Sequence, residues 1–223
     1  MKEFSVPMAL CAFIPVILFA AAAVILMRDL YNKMSKGAFA LFAAGAIDII
    51  CAGSLKALYK LLYALGLCDF EPLNAMFFPL QSIGFLLAGV GILAMLIWRQ
   101  TSKKAPEKAS GKALSLTAAA AVPLFKGTMI FVSLMVVGLG LISTVLSILS
   151  AKLKKAWVMI FFIVGFVCSL SMGYLSTRDF AQASMNWIAE GVNIAGQGSF
   201  LIGALLLHKF GLEQLKLKTG ERA

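Results

Sequence analysis

The chain has 223 residues, of which 61% are hydrophobic and 13% charged, and its mean hydropathy is +0.93. Soluble domains seldom exceed about half apolar residues and have no use for recurring apolar runs of about twenty, so a soluble globular fold is excluded. A formal charge of +10 would suggest nucleic acid in a soluble protein. Here the basic residues lie between apolar runs, where they fix topology and meet anionic headgroups, so no nucleic-acid partner is expected.

The fold class expected is all-α: a polytopic transmembrane helix bundle in the lipid bilayer, forming one integral membrane domain. The apolar run from Pro7 to Met27 is too long for a signal-peptide core and is followed by Arg28-Asp29-Leu30 rather than a cleavage region. It reads as a first transmembrane helix. Further spans are expected near residues 38–58, 74–98, 128–150, 157–176 and 185–207. The chain divides into a first three-helix half (1–98), a basic linker with a short apolar segment (99–126) and a second half (127–210).

In the second span, Asp48 is a carboxylate near mid-membrane, where it must be protonated, paired or functional. Its expected partners are the amides of the third or last span. Lys56 and Lys60 are expected to snorkel to the headgroups, and Tyr59, Tyr63, Trp98 and Trp187 to form an interfacial belt. The third span carries Asn74, Gln81 and Ser82, and Pro79 predicts a kink that frees the Ala75 carbonyl.

Residues 113–125 decide the topology. If they cross, there are seven spans, three plus a short fourth plus three. Fifteen Lys and Arg then lie on one side and three on the other, with Lys56 and Lys60 inside their helix. That bias follows the positive-inside rule and puts the N-terminus outside and the C-terminus in the cytoplasm, in keeping with a bacterial cytoplasmic membrane. Thirteen residues reach only about 20 Å as a helix; with six spans the charges give no orientation. Seven are favoured.

Ser143, Ser147 and Ser150 share one face of the next span and read as ordinary back-bonding serines. The last span is the most informative. Asn186, Glu190, Asn193 and Gln197 fall at i, i+4, i+7 and i+11, on one helical face. Four such groups turned to lipid would cost several kcal/mol, so they face a polar interior or a partner.

The halves resemble each other. An offset of 120 residues lays Phe42 on Phe162, Gly45 on Gly165, Gly53 on Gly173 and Leu55 on Leu175. An offset of 112 lays Asn74 on Asn186, Gln81 on Asn193 and Gly84 on Gly196. An internal repeat is expected, as in many transporters. Three helices, a linker helix and three more resemble the layout of the sugar-transporting SWEET family and its PQ-loop relatives. The resemblance is one of layout: Pro79-Leu80-Gln81 lies in the third span and is not an adjacent Pro-Gln pair in the first helix of each repeat.

No cofactor or metal site is read. The four cysteines form no CxxC pair, and the single histidine, His208, cannot make a bis-histidine centre. There is no HExxH motif, no intramembrane aspartate pair and no serine–histidine arrangement at a plausible depth. The function expected is a small secondary transporter or facilitator of a small polar solute or ion. Asn186, Glu190, Asn193, Gln197, Gln81 and Asn74 would bind substrate, and Glu190 and Asp48 would couple an ion. Two alternatives stand: a membrane enzyme on a lipid or isoprenoid, using Asp48 and Glu190 as an acid/base pair, and a non-transporting subunit or receptor whose polar stripe docks a partner. Substrate identity and oligomeric state are not legible.

Overall fold

The computed structural model describes residues 5–101, 128–175 and 183–215. Among these residues are eight α-helices, α1 (Val6–Cys11), α2 (Phe13–Leu30), α3 (Lys36–Leu65), α4 (Glu71–Ala75), α5 (Phe77–Thr101), α6 (Thr128–Lys152), α7 (Met159–Leu175) and α8 (Ala183–Lys209). Among the described residues, five stretches are helical, long and apolar enough to cross a membrane: Val6–Lys33, Lys36–Leu65, Glu71–Ile97, Ile130–Lys152 and Ser184–Lys209. Where the fifth of the six spans around the 113–125 segment is expected, α7 is apolar but has only 17 residues, about 25 Å, and is not among these five. The short fourth span expected at 113–125 lies outside the described residues.

Local chemistry sets the helix ends. Ser35 caps α3 by accepting from the Ala38 amide at 3.2 Å, and Gly66, at φ 72°, ends it in the left-handed conformation open to glycine. Each of the two breaks near the chain's start and middle lies three residues before a proline. Pro15 has no amide hydrogen for the Cys11 carbonyl, and the helix is interrupted at Ala12. Pro79 has none for Ala75, and the helix is interrupted at Met76. Pro79 thus interrupts the helical hydrogen-bonding at Met76, which keeps right-handed dihedrals.

The long helices form a closed ring. α2 packs on α3, α3 on α5, α5 on α6, α6 on α7, α7 on α8, and α8 returns to α2. The helices approach closest at glycines. In the first half a methyl group at Gly45 would overlap the Gly84 carbonyl and the Ala88 backbone. In the second, one at Gly165 would lie 3.2 Å from the Gly196 carbonyl. A second contact follows in each half, Gly91 against the Phe42 backbone and Gly203 against the Phe162 ring. Small residues at crossings are the usual means of helix association in lipid.

Chain direction follows from these contacts. α3 and α5 run antiparallel, because Gly45 meets Gly84 while Ala38 and Phe42 meet Gly91. The start of α3 therefore lies at the same end as Thr101. That end also holds Lys33, bonded to the Glu213 and Leu215 carbonyls, and the end of α6, since Trp157, just beyond it, meets the Phe210 ring edge-on at 6.0 Å. α6 thus runs parallel to α5, and Thr101 and Thr128 are at opposite ends of the bundle.

The outer surface is apolar, with Ile17, Val24, Ile47, Val137, Ile160, Val167 and Ile188 all at least half exposed. In water this would be a liability; against acyl chains it is the expected lipid face. The protein is an integral membrane protein. Inside, Phe19, Phe85, Phe162 and Phe200 form a chain of ring contacts 5.6–6.1 Å apart. Beyond them toward the Asp29 end, leucines and isoleucines including Leu26, Leu30, Ile92, Leu146, Leu149 and Leu207 are fully buried.

Candidate functional site

A cavity of about 400 Å³ occupies the opposite end of the ring, inside the bundle. Its size is within the roughly 300–1,000 Å³ of small-molecule sites. The stripe of α8 forms one wall: Asn186, Glu190, Asn193 and Gln197 all line it. Asn74 and Gln81 face them from α4 and α5 and line the same space. All six residues expected to bind substrate therefore surround one hollow. Asn186 and Glu190 are only 4% and 6% exposed, so the stripe points into the monomer and is not a docking face on its outside.

The stripe extends about 16 Å along α8, near half of the ~30 Å hydrocarbon core. The cavity is thus one-sided. Its inner limit is formed by Phe19, Phe85, Leu139 and Gln197, with the Phe200 and Phe162 rings behind. At the other end the lining runs through the mostly buried Lys60 and the buried Asn186 to Asn74, which is exposed.

Glu190 is paired with the Lys60 ammonium, the side chains being 7% and 12% exposed. This corrects the expectation for Lys56 and Lys60, both of which turn into the bundle and line the cavity. The Lys56 ammonium lies 3.9 Å from the Phe77 ring centre and 5.3 Å from that of Phe78. Tyr59 also turns inward. It is buried and donates to the Asp69 carboxylate at 3.2 Å, so it is no part of an interfacial belt.

Asp48 departs from expectation too. It is half-buried on α3 and does not line the cavity. It precedes Lys60 by twelve residues, about 18 Å along the axis and about a third of a turn around it. The expected meeting with the amide stripe does not occur at the cavity. Acid/base catalysis requires groups within hydrogen-bond reach of the reacting atoms, and of the two carboxylates Glu190 lines the cavity while Asp48 is outside its lining. The Ala75 carbonyl freed by Pro79 belongs to an exposed residue outside the cavity lining. Ser82 donates to its own helix, to Phe78 O at 2.7 Å and Pro79 O at 3.0 Å. Ser150 likewise donates to Leu146 O at 2.8 Å.

A second polar cluster, not anticipated from the sequence, is at the far end. Asp29, with its side chain fully buried, has both carboxylate oxygens 3.0 Å from His208 Nδ1. Arg28 lies against the same histidine, 2.8 Å from Nε2. Lys33, 6% exposed, donates to the Glu213 and Leu215 carbonyls at 2.7 and 2.9 Å. The ends of α2 and α8 are thereby tied together.

No protein-family model matches the chain, and no curated protein or solved structure is significantly similar to it. What defines the molecule is its own geometry: a membrane-embedded helical ring with a buried, charged polar site in one half.

Proposed function

We propose that this protein is a small secondary transporter or facilitator of a small polar solute or ion. The observation that carries this reading is the convergence of six amide and acid side chains on one half-membrane cavity closed at its inner end by aromatic rings. Alternating access calls for such a site, reached from one side at a time. Of the two carboxylates expected to couple an ion, Glu190 alone faces the cavity, and the role is assigned to it.

An internal repeat supports the reading. The helix crossings Gly45–Gly84 and Gly165–Gly196 join residues that the offsets of 120 and 112 make equivalent, and so do the contacts Phe42–Gly91 and Phe162–Gly203. The lining residues fall into the same register: Pro15 with Met135, Phe19 with Leu139, Asn74 with Asn186, and Gln81 with Asn193. The cavity then surrounds a pseudo-two-fold axis along the membrane normal. In a parallel repeat the two halves share one orientation. The opposite positions of Thr101 and Thr128 favour this, and with it the seven-span topology and a crossing linker. The Asp29 end, with Arg28, Lys33, Lys36, Lys152, Lys154 and Lys155, is the cytoplasmic end in this scheme, and the cavity opens outward.

The test is uptake or counterflow in proteoliposomes over a panel of small polar metabolites. Glu190→Gln is expected to lower uptake at least tenfold, with Asp48→Asn within about twofold of the parent. Uptake that survives Glu190→Gln in correctly folded protein would remove the mechanism. Single cysteines at Thr101 and Thr128 are expected to react with impermeant thiol reagents from opposite faces; labelling from one face would restore the six-span topology.

A further inference from the structure

The two walls of the cavity are chemically unlike. Where α8 presents Ala189, Glu190 and Gln197, the equivalent positions of α5 present Phe77, Phe78 and Phe85. A solute in this space meets amides on one side and rings on the other. The charges are also uneven. Lys56 and Lys60 project from one face of α3, one turn apart, and Glu190 is the single carboxylate among the described lining residues. That carboxylate is held by Lys60. Of the acids in the segment between α3 and α5, Asp69 accepts from Tyr59 and Glu71 is exposed.

Lys56 is therefore left in contact with the faces of Phe77 and Phe78 and without an ion pair of its own among the described residues, Glu190 acting on it only through space while held by Lys60. Ring faces attract an ammonium but do not neutralise it. A charge in such surroundings favours an anion beside it, and one further negative charge balances the lining residues. The rest of the cavity is apolar toward its inner end, where Phe19, Phe85, Met135 and Leu139 meet.

The geometry points to a small organic monoanion as the ligand: a carboxylate set against Lys56, within the ring of amides, and a compact apolar or aromatic body directed at the phenylalanine floor. The inference deepens the transport reading and rests on it for the ligand's passage, though not for its binding. The floor is closed by the Phe19, Phe85 and Phe200 contacts, so the acid is a short one taken from water and not a long-chain lipid acid.

The experiment measures binding by calorimetry to the full chain in nanodiscs. The probes are phenylacetate, the neutral phenylacetamide, the cationic phenethylamine, and acetate, which lacks the apolar body. Phenylacetate is expected to bind at least tenfold more tightly than the other three. Lys56→Gln should remove that preference and Lys56→Arg keep it, with helicity and elution volume unchanged. Glu190→Gln removes the negative charge from the described lining and should tighten phenylacetate several-fold, which a merely structural glutamate would not do. Equal or tighter binding of the amide or the amine overturns the inference, as does phenylacetate binding indifferent to Lys56→Gln. Affinity that climbs steadily through octanoate to dodecanoate overturns the short-acid form. Lys56-dependent binding without uptake in vesicles would refute transport and leave the ligand class standing. Uptake of a cation or neutral solute without anion binding would do the reverse.

Discussion

The two ends of the bundle use the same chemistry for different ends. At one, Glu190 of α8 meets Lys60 of α3; at the other, Asp29 of α2 meets His208 of α8. Each is a carboxylate with a basic partner on a distant helix. Around Glu190 are amides, rings and about 400 Å³ of space. Around Asp29 the side chains close up, with Leu30 and Leu207 fully buried and Lys33 spent on the Glu213 and Leu215 carbonyls. The surroundings, not the pair, decide whether such groups act as a site or as a staple. A charge beside a void can exchange its partner for water or solute. One in a filled core cannot, because stranding it there costs several kcal/mol.

This difference can be broken most directly at Asp29. Cutting one member of a fully enclosed ion pair costs about 3–5 kcal/mol. His208 is 37% exposed on its side chain, so water recovers part of the loss, and Asp29→Ala is expected to cost about 2 kcal/mol in reversible unfolding. Next is Lys33→Met. The thioether fills much of the volume but leaves two carbonyls without their charged donor, and a loss of about 1–2 kcal/mol is expected. It should come with faster proteolysis beyond Gly211, since those carbonyls anchor the turn at Leu212–Gln214. If either variant unfolds like the parent, the far end is not a staple.

How far the sequence carried can be judged on the same residues. The lipid-embedded bundle was legible because apolar runs of about twenty residues have one common solution. The α8 stripe was legible because its period of 3.6 places four polar groups on one face. The lysines were misread for an identifiable reason. The second span was expected to end near residue 58, which put Lys60 at the headgroups, but α3 continues to Leu65 and its Gly66 cap. The inner face of α3 in fact passes through Gly45, Ile49, Gly53, Lys56 and Lys60 at spacings of three and four, a signal present in the sequence. Asp48 lies off that face, and mid-membrane depth alone did not reveal it. The staple was out of reach, since Asp29 and His208 are 179 positions apart and nothing local links them.

The smallest expected effect on stability sharpens the comparison most. Glu190→Gln deletes a charge bonded to a lysine that is itself only 12% exposed, and in a filled core it would rank with Asp29→Ala. In the cavity the glutamine can still accept from Lys60 through its carbonyl, and the adjoining space admits water that replaces the lost charge–charge attraction. A loss under about 1 kcal/mol is therefore expected, less than half that of Asp29→Ala measured in the same detergent, while uptake falls at least tenfold. Stability and activity should thus separate at Glu190. If Glu190→Gln proves as destabilising as Asp29→Ala, the hollow is dry and the Lys60–Glu190 pair is a second staple. The cavity end would then lose its claim to be a site.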